Sequence, residues 1–594
     1  MNTVPKSLAL AAAAMLLTSV TPVAAPSFSA EMLGRLDPSP QLGSICGRQG
    51  MRGQALRARL QLAAAYQPAP AMSDDPVTLL PGLGNIRFRI STANDMAQRY
   101  FDQGLALTYG FNHAEAIRSF REAQRLDPRC AMCWWGEALA HGPNINAPMA
   151  PEVIARAVVA SGRASTLKRG ATPVERALID ALALRYSDDP KADRAALDRR
   201  YADAMLDVAR RFPQQDDVAL LAAEAVMDTR PWDYWEGDGR TPKGKIGEAI
   251  GLVETVLARS PDHPQAAHLY IHLMEASAEP ARAEAAADRL ARPLAPNAGH
   301  LVHMPGHLYF RVGRFADSIR VNVAAARVDE AYLARSKEAG IYRFGYYPHN
   351  VHFIVTSAQM AGDMETAIRE ARRLRAILNT DVSAAMPWVQ PVDAAPYLAY
   401  AQFASPAEIF ALPPPDARLR YATAIWHYAR AVARAQQRDD DGFATELAAI
   451  REIRETTDFK PMEDQLVPAS QLLRLAELVA AGRRAYAHGR YEEAVVLYEQ
   501  AASLEDGIRY MEPPFWYYPV RQSLGAALFR AGRLKDARQA FLAALAQSPN
   551  NGWVLFGLAA THRALGDRVS AAAAETALER AWLGDRRWLR MDRL

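Results

Sequence analysis

Apolar positions recur every three or four residues through most of the chain, and nowhere do they alternate over a useful length as in a half-buried strand. The spacing predicts amphipathic helices, and small residues and turn glycines group them in pairs. Residues 518–549 show this best, with Leu524, Gly525, Gly532, Ala537, Phe541, Ala544 and Pro549. Gly525 and Ala537 are predicted to let two antiparallel helices approach, and Phe541 to fill the wedge between them. The preceding unit repeats the scheme with Gly482, Gly489, Ala494, Tyr498 and Ala501, and Gly104, Ala116, Phe120, Ala123 and Pro128 do so near the other end. Gly566 and Ala571 stand 34 residues beyond Gly532 and Ala537, but the aromatic is lost, as expected of a terminal cap. In the more divergent middle, Gly313 and Gly362 mark inter-helix turns.

With Arg521 where Trp is usual, this pattern resembles the tetratricopeptide repeat. The resemblance implies an all-α, tetratricopeptide-type helix-hairpin solenoid. The expected segments are a signal peptide at 1–30, an irregular lead-in at 31–90, a divergent array at 91–410, and C-terminal repeats with a cap at 411–594. Two insertions interrupt the array, Arg230-Pro-Trp-Asp-Tyr-Trp-Glu-Gly-Asp-Gly239 and Tyr342-Arg-Phe-Gly-Tyr-Tyr-Pro348.

Half of the residues are hydrophobic, which suits packed helices. The net charge of +3 comes from 69 basic and 66 acidic residues, with no basic block, so no nucleic-acid partner is expected. Lys6 precedes an uncharged run from Leu8 to Val20, too short for a comfortable membrane span. Cleavage between Ala24 and Ala30 would leave a periplasmic or secreted protein with no membrane span. Of the three cysteines, Cys130 and Cys133 could pair or bind metal, leaving Cys46 odd.

Chemistry concentrates in the histidines. Seven of thirteen lie between His268 and His352, as His268/His272, His300/His303/His307 and His349/His352. Gaps of three, four and seven place them on helix faces, and imidazole is the commonest protein metal ligand. When each unit is numbered from its turn, these histidines and Glu275 take positions that line the concave groove in tetratricopeptide repeats, which the resemblance supplies. The candidate metal set is therefore His268, His272, Glu275, His300, His303, His307, His349 and His352. That many ligands suit two ions, or one ion with supporting partners. The His-dominated donors and export lean towards copper, with zinc or iron close behind.

A wider set of motifs accompanies them: Phe111-Asn-His-Ala-Glu-Ala116, Cys130-x-x-Cys133, Gly142-Pro-Asn-Ile-Asn146, Pro231-Trp-Asp-Tyr-Trp235, Tyr270-Ile-His-x-x-Glu-Ala-Ser277, Gly299-His-Leu-Val-His-Met-Pro-x-His307 and Tyr347-Pro-His-Asn-x-His-Phe353. In combination it resembles exported bacterial tetratricopeptide proteins distantly similar to the eukaryotic tetratricopeptide protein 38. The resemblance covers roughly residues 95–380 and implies the fold and the histidines, without naming a reaction. His113 reads equally as a turn residue or an extra ligand. Glu137 or His141 could join the cysteines, while His141, His263, His427, His488 and His562 otherwise read as structural. No nucleophile elbow, phosphate loop, dinucleotide fingerprint or His-Glu-x-x-His motif occurs.

The leading expectation is an exported repeat protein with a mono- or dinuclear metal site in its groove. It could be a metal-dependent enzyme with Tyr346 and Tyr347 as substrate walls. The alternatives are a scaffold that binds proteins or peptides, with 475–580 as an extra docking surface, and metal handling without catalysis.

Overall fold

The computed structural model describes residues 77–594 apart from 190, 293, 337–339, 341, 509 and 510. The expected leader at 1–30, Cys46 and the lead-in up to residue 76 lie outside the described residues. Among those described, every regular element is helical, from Asp95–Tyr109 to Arg568–Ala581, apart from two isolated bridges. The chain is an all-α solenoid of helix hairpins.

One contact explains how hairpins form and then stack. A Cβ on Gly104 would stand 2.6 Å from the Phe120 ring, and one on Gly136 of the following hairpin would stand 2.3 Å from it. Phe541 sits in the same way between Gly525, at 2.6 Å, and Gly557, at 2.4 Å. Each aromatic therefore fills two crevices, one inside its own hairpin and one against the next. Both crevices exist only because the facing residue lacks a side chain. Residues 77–90 form no helix, yet Leu83, Ile86, Phe88 and Ile90 are buried against the first hairpins.

Two apolar cores run along the solenoid and meet inside the helix Tyr347–Ala361. Val351 and Ile354 belong to the N-terminal core, Val355 and Ala358 to the C-terminal one. The C-terminal repeats also fold back onto the hairpins that carry the histidines. Gly313 and Gly362 take φ of +77° and +74°, as inter-helix turns require. Their bare faces receive distant residues: a Cβ on Gly313 would lie 2.0 Å from the Pro549 carbonyl oxygen, and one on Gly362 would lie 2.1 Å from the Trp582 ring. Leu583 N–H donates to the Ala361 carbonyl at 2.9 Å, and Trp553 Nε1 donates to that of Gln359 at 2.9 Å.

The N-terminal end closes in from the other side, where Asn297 N–H donates to the Gly82 carbonyl at 2.8 Å. Residues 585–594 return across the last repeats: Ser523 Oγ donates to the Leu594 carbonyl at 3.0 Å, and Leu589 and Leu594 are buried. The C-terminal docking surface expected at 475–580 is thus partly covered by the chain itself.

Gly525→Val should cost about 1–3 kcal/mol of stability by overpacking against Phe541. A urea-unfolding midpoint unchanged from wild type would contradict this account of hairpin closure.

Candidate metal centre

Three hairpins supply the site. The helix Pro264–Met274 starts on a proline, which needs no N–H partner there, and carries His268 and His272 one turn apart, with Glu275 at its end. The next unit is interrupted at Met304, because Pro305 has no N–H to continue the ladder, giving Gly299–His303 and Pro305–Arg311. Met304 N–H still donates to the His300 carbonyl at 3.1 Å, and His307 N–H to that of Met304 at 3.2 Å. The winding therefore persists across the break, and His300, His303 and His307 stay on one side. His349 and His352 lie in the first turns of Tyr347–Ala361.

Six of the seven histidines meet in two triads. In His268/His272/His300, and again in His303/His307/His349, one nitrogen from each ring lies within 4.8 Å of the others. His268 Nε2 is 3.1 Å from His300 Nε2, and His307 Nε2 is 3.2 Å from His349 Nε2. The triads adjoin: the His300 and His303 ring centres are 6.0 Å apart, and those of His272 and His307 are 5.9 Å apart. His352 is buried but belongs to neither triad.

The partners of the other ring nitrogens decide which atoms face inward. His268 Nδ1 is 2.9 Å from Gln265 Oε1, and Gln265 Nε2 is committed to Glu224 at 3.2 Å, so Gln265 offers oxygen to the ring. His303 Nδ1 is 2.5 Å from Asn322 Oδ1, while Asn322 Nδ2 donates to the Ser318 carbonyl. His272 Nδ1 is 2.8 Å from Glu275 Oε1, and His307 Nδ1 is 2.7 Å from Glu275 Oε2. His268 and His303 thus donate Nδ1–H to amide oxygens and turn Nε2 towards the other rings, while Glu275 holds the Nδ1 atoms of His272 and His307. The Nε2 atoms of His272 and His303 are buried with no hydrogen-bond partner. An N–H held by an amide or carboxylate, with the opposite nitrogen free, is how metal-binding histidines are oriented. Glu275, expected among the ligands, has its two oxygens against the Nδ1 atoms of His272 and His307 and also hydrogen-bonds Glu512.

Burial is the largest influence on charge. It pushes His268 down to about 3 and His352 to about 4, and holds His272, His300, His303 and His349 well below the ordinary imidazole range, helped in those four by neighbouring imidazoles. These rings are neutral, the form that binds metal. Burial also pushes Glu275 and Glu512 up to about 8.

Glu512 lies far from the histidines in sequence, yet its Oε2 is 2.6 Å from His307 Nδ1. It joins Glu275 and His307 in a third cluster. No local motif marks it; the folding back of the C-terminal repeats brings it there. Gln265 and Asn322 were equally invisible to spacing arguments that sought only ligand residue types.

The groove expected to be open is closed by aromatics. Phe111 packs on His268 and His300 with ring centres 4.9 and 4.8 Å away, and Trp232 on His272 at 5.0 Å. Tyr346 packs on His300 at 5.1 Å, and Phe353 on His307 at 4.6 Å. Phe111 and Trp232 adopt φ of +53° and +61°, which aromatic residues rarely do. Trp232 Nε1 donates to Asn146 Oδ1 at 3.1 Å, and Asn144 Nδ2 lies 3.2 Å from His113 Nε2. The scattered motifs therefore converge as the wall of one site. Tyr346 lines it, whereas Tyr347 turns away to donate to Glu330 at 2.7 Å.

His113 stands outside the triads, beside the Phe111 ring. The scattered histidines each lie against a carboxylate: His141 by Glu137, His263 by Asp217, His427 by Glu446, His488 by Asp440 and His562 by Asp567. Cys130 and Cys133 form a disulfide, so neither serves as a thiolate ligand, and Glu137 is engaged with Arg121 and Gln124.

The tetratricopeptide repeat family matches residues 519–561. No curated protein matches the sequence. Among solved structures, the chain is similar to human IFIT1, seen as a dimer with m7Gppp-AAAA, at 12% identity, with 83% of this chain and 91% of that one covered and a TM-score of 0.26. It is similar to yeast Tom70 at 12% identity, over 82% and 96% of the two chains, with a TM-score of 0.24. No functional statement follows from likenesses at this level.

A histidine held neutral by burial stabilises the fold above its unfolded pKa of about 6.5, and that stability is lost as protons bind the unfolded chain at lower pH. Raised carboxylates act oppositely, between their ordinary range and about 8. Below about pH 4.5 only the histidines contribute among these groups. Chelator-treated protein should therefore lose stability on going from pH 4.5 to 3.5, and His268→Gln should shrink that loss. Equal losses in wild type and variant by chemical denaturation would contradict the neutral, buried assignment.

Proposed function

We propose that this chain is a metal-binding tetratricopeptide repeat protein whose two histidine triads hold a pair of ions. The observation that supports this most directly is the commitment of four Nδ1 atoms to amide and carboxyl partners, which leaves the opposite nitrogens facing one another among buried rings. Buried polar atoms without partners are costly, and ions would satisfy His272 Nε2 and His303 Nε2. Three imidazole nitrogen donors per triad suit copper, with zinc and iron as the competing ions; magnesium, calcium and manganese prefer oxygen ligands. Export, expected from the Leu8–Val20 run, agrees with copper.

Three protein ligands per ion leave coordination positions open, the arrangement of a reactive rather than a purely structural site. With copper or iron, the adjoining triads would suit two-centre redox chemistry on dioxygen, with Tyr346, Phe111 and Trp232 forming the substrate wall. With zinc, the open position would hold an activated water. Deep burial favours retention of the ions over the exchange that a carrier needs.

A protein-binding scaffold is the second reading. The tetratricopeptide repeat supports it, since such solenoids present extended binding surfaces. Val159, Val496 and Val569 stand exposed on the surface.

Elemental analysis of untagged protein should find about two ions per chain, and His303→Ala should lower the content to about one. Protein that stays metal-free after exposure to copper, zinc and iron salts would leave the scaffold reading in place.

A further inference from the structure

One carboxylate touches both triads. Glu275 Oε1 meets His272 Nδ1 at 2.8 Å, and Glu275 Oε2 meets His307 Nδ1 at 2.7 Å. The Glu275 side chain is fully buried, and its place at the end of Pro264–Met274 is fixed by its own N–H donating to the Ile271 carbonyl. We infer that Glu275 is the positioning residue that couples the two sites, so that the ions bind as a linked pair; this rests on the proposed metal reading.

The physical route is short. An ion on His272 Nε2 draws electron density from that ring and strengthens its Nδ1–H bond to Glu275. The carboxylate is thereby held in the plane that also serves His307. The second triad then has less orientational freedom to lose, and binding at either triad favours the other by the same factor. The remaining ligands lack such a bridge: His268 leans on Gln265 and His303 on Asn322, each serving a single triad.

Glu512 makes the arrangement unequal. Its Oε2 lies 2.6 Å from His307 Nδ1, so His307 has a second carboxylate in reach, whereas Glu275 is the carboxylate paired with His272. Replacing the Glu275 carboxyl by an amide should therefore weaken His268/His272/His300 more than the other triad. Losing both carboxylates should weaken both triads.

The test is calorimetric titration of chelator-treated protein with copper, on wild type, Glu275→Gln, Glu512→Gln and the double variant, each checked for intact helical circular dichroism. Wild type should take up two ions in one cooperative step. Glu275→Gln should split this into two steps, the weaker lowered about 10–100-fold, the usual effect of removing a partner of a ligand histidine. Glu512→Gln alone should keep the single step, and the double variant should weaken both. Independent steps in wild type, or a Glu275→Gln titration that overlays it, would overturn the coupling.

A separate readout needs no metal. In the metal-free protein, Glu275→Gln should shift the histidine Nδ1–H NMR resonances of both His272 and His307. If it does so while wild type binds no copper, zinc or iron, the bridge stands and the metal reading falls, taking the coupling of ions with it. A shift confined to one ring would remove the bridge.

Discussion

A neutral imidazole has one N–H to give and one lone pair to offer, and in a dry interior both must be accounted for. Six imidazoles packed together would ordinarily be a burden, since each unpaired polar atom costs about 1–3 kcal/mol. Here the Nδ1 atoms of four rings are directed to Gln265, Glu275 and Asn322. The opposite nitrogens are thereby gathered on one side, where a cation would satisfy several at once. This division of donors from acceptors is what separates the cluster from a group of ordinary core histidines. His141, His263, His427, His488 and His562 illustrate the contrast, each lying singly against a carboxylate.

Part of that interior is covered by the folding back of the solenoid. The turn glycines Gly313 and Gly362 end the first helices of two histidine hairpins, and their bare faces seat Pro549 and Trp582 from the C-terminal repeats. The same closure delivers Glu512 to His307. From the other end, Phe111 and Trp232 cover the first triad from strained backbone positions. The last repeats thus act as a wall of the centre as well as a possible surface for partners, and the helix Tyr347–Ala361 is shared by the two apolar cores.

The repeat architecture was legible because it is local. Gly525 with Phe541, Gly104 with Phe120 and the turn at Gly362 are set by residues within one repeat, and spacing reveals them. The histidine faces were legible for the same reason, even across the break at Pro305. What spacing could not show depends on contacts between distant segments. Glu512 reaches His307 only because the C-terminal repeats fold back, and that folding covers part of the expected groove. Gln265 and Asn322 escaped notice because an amide is not a ligand type, although its oxygen decides which ring nitrogen points inward. Helical periodicity placed His352 with the ligands; it is buried but belongs to neither triad. Glu275 was expected as a ligand; it stands with His307 and Glu512 in a third cluster and also meets the Nδ1 atom of His272.

The most direct measurement is anomalous diffraction from crystals of the untagged protein grown with copper. The account predicts two peaks, one within reach of the inward nitrogens of His268, His272 and His300, the other within reach of those of His303, His307 and His349. A single peak held by the carboxylates of Glu275 and Glu512, or none among these residues, would contradict it.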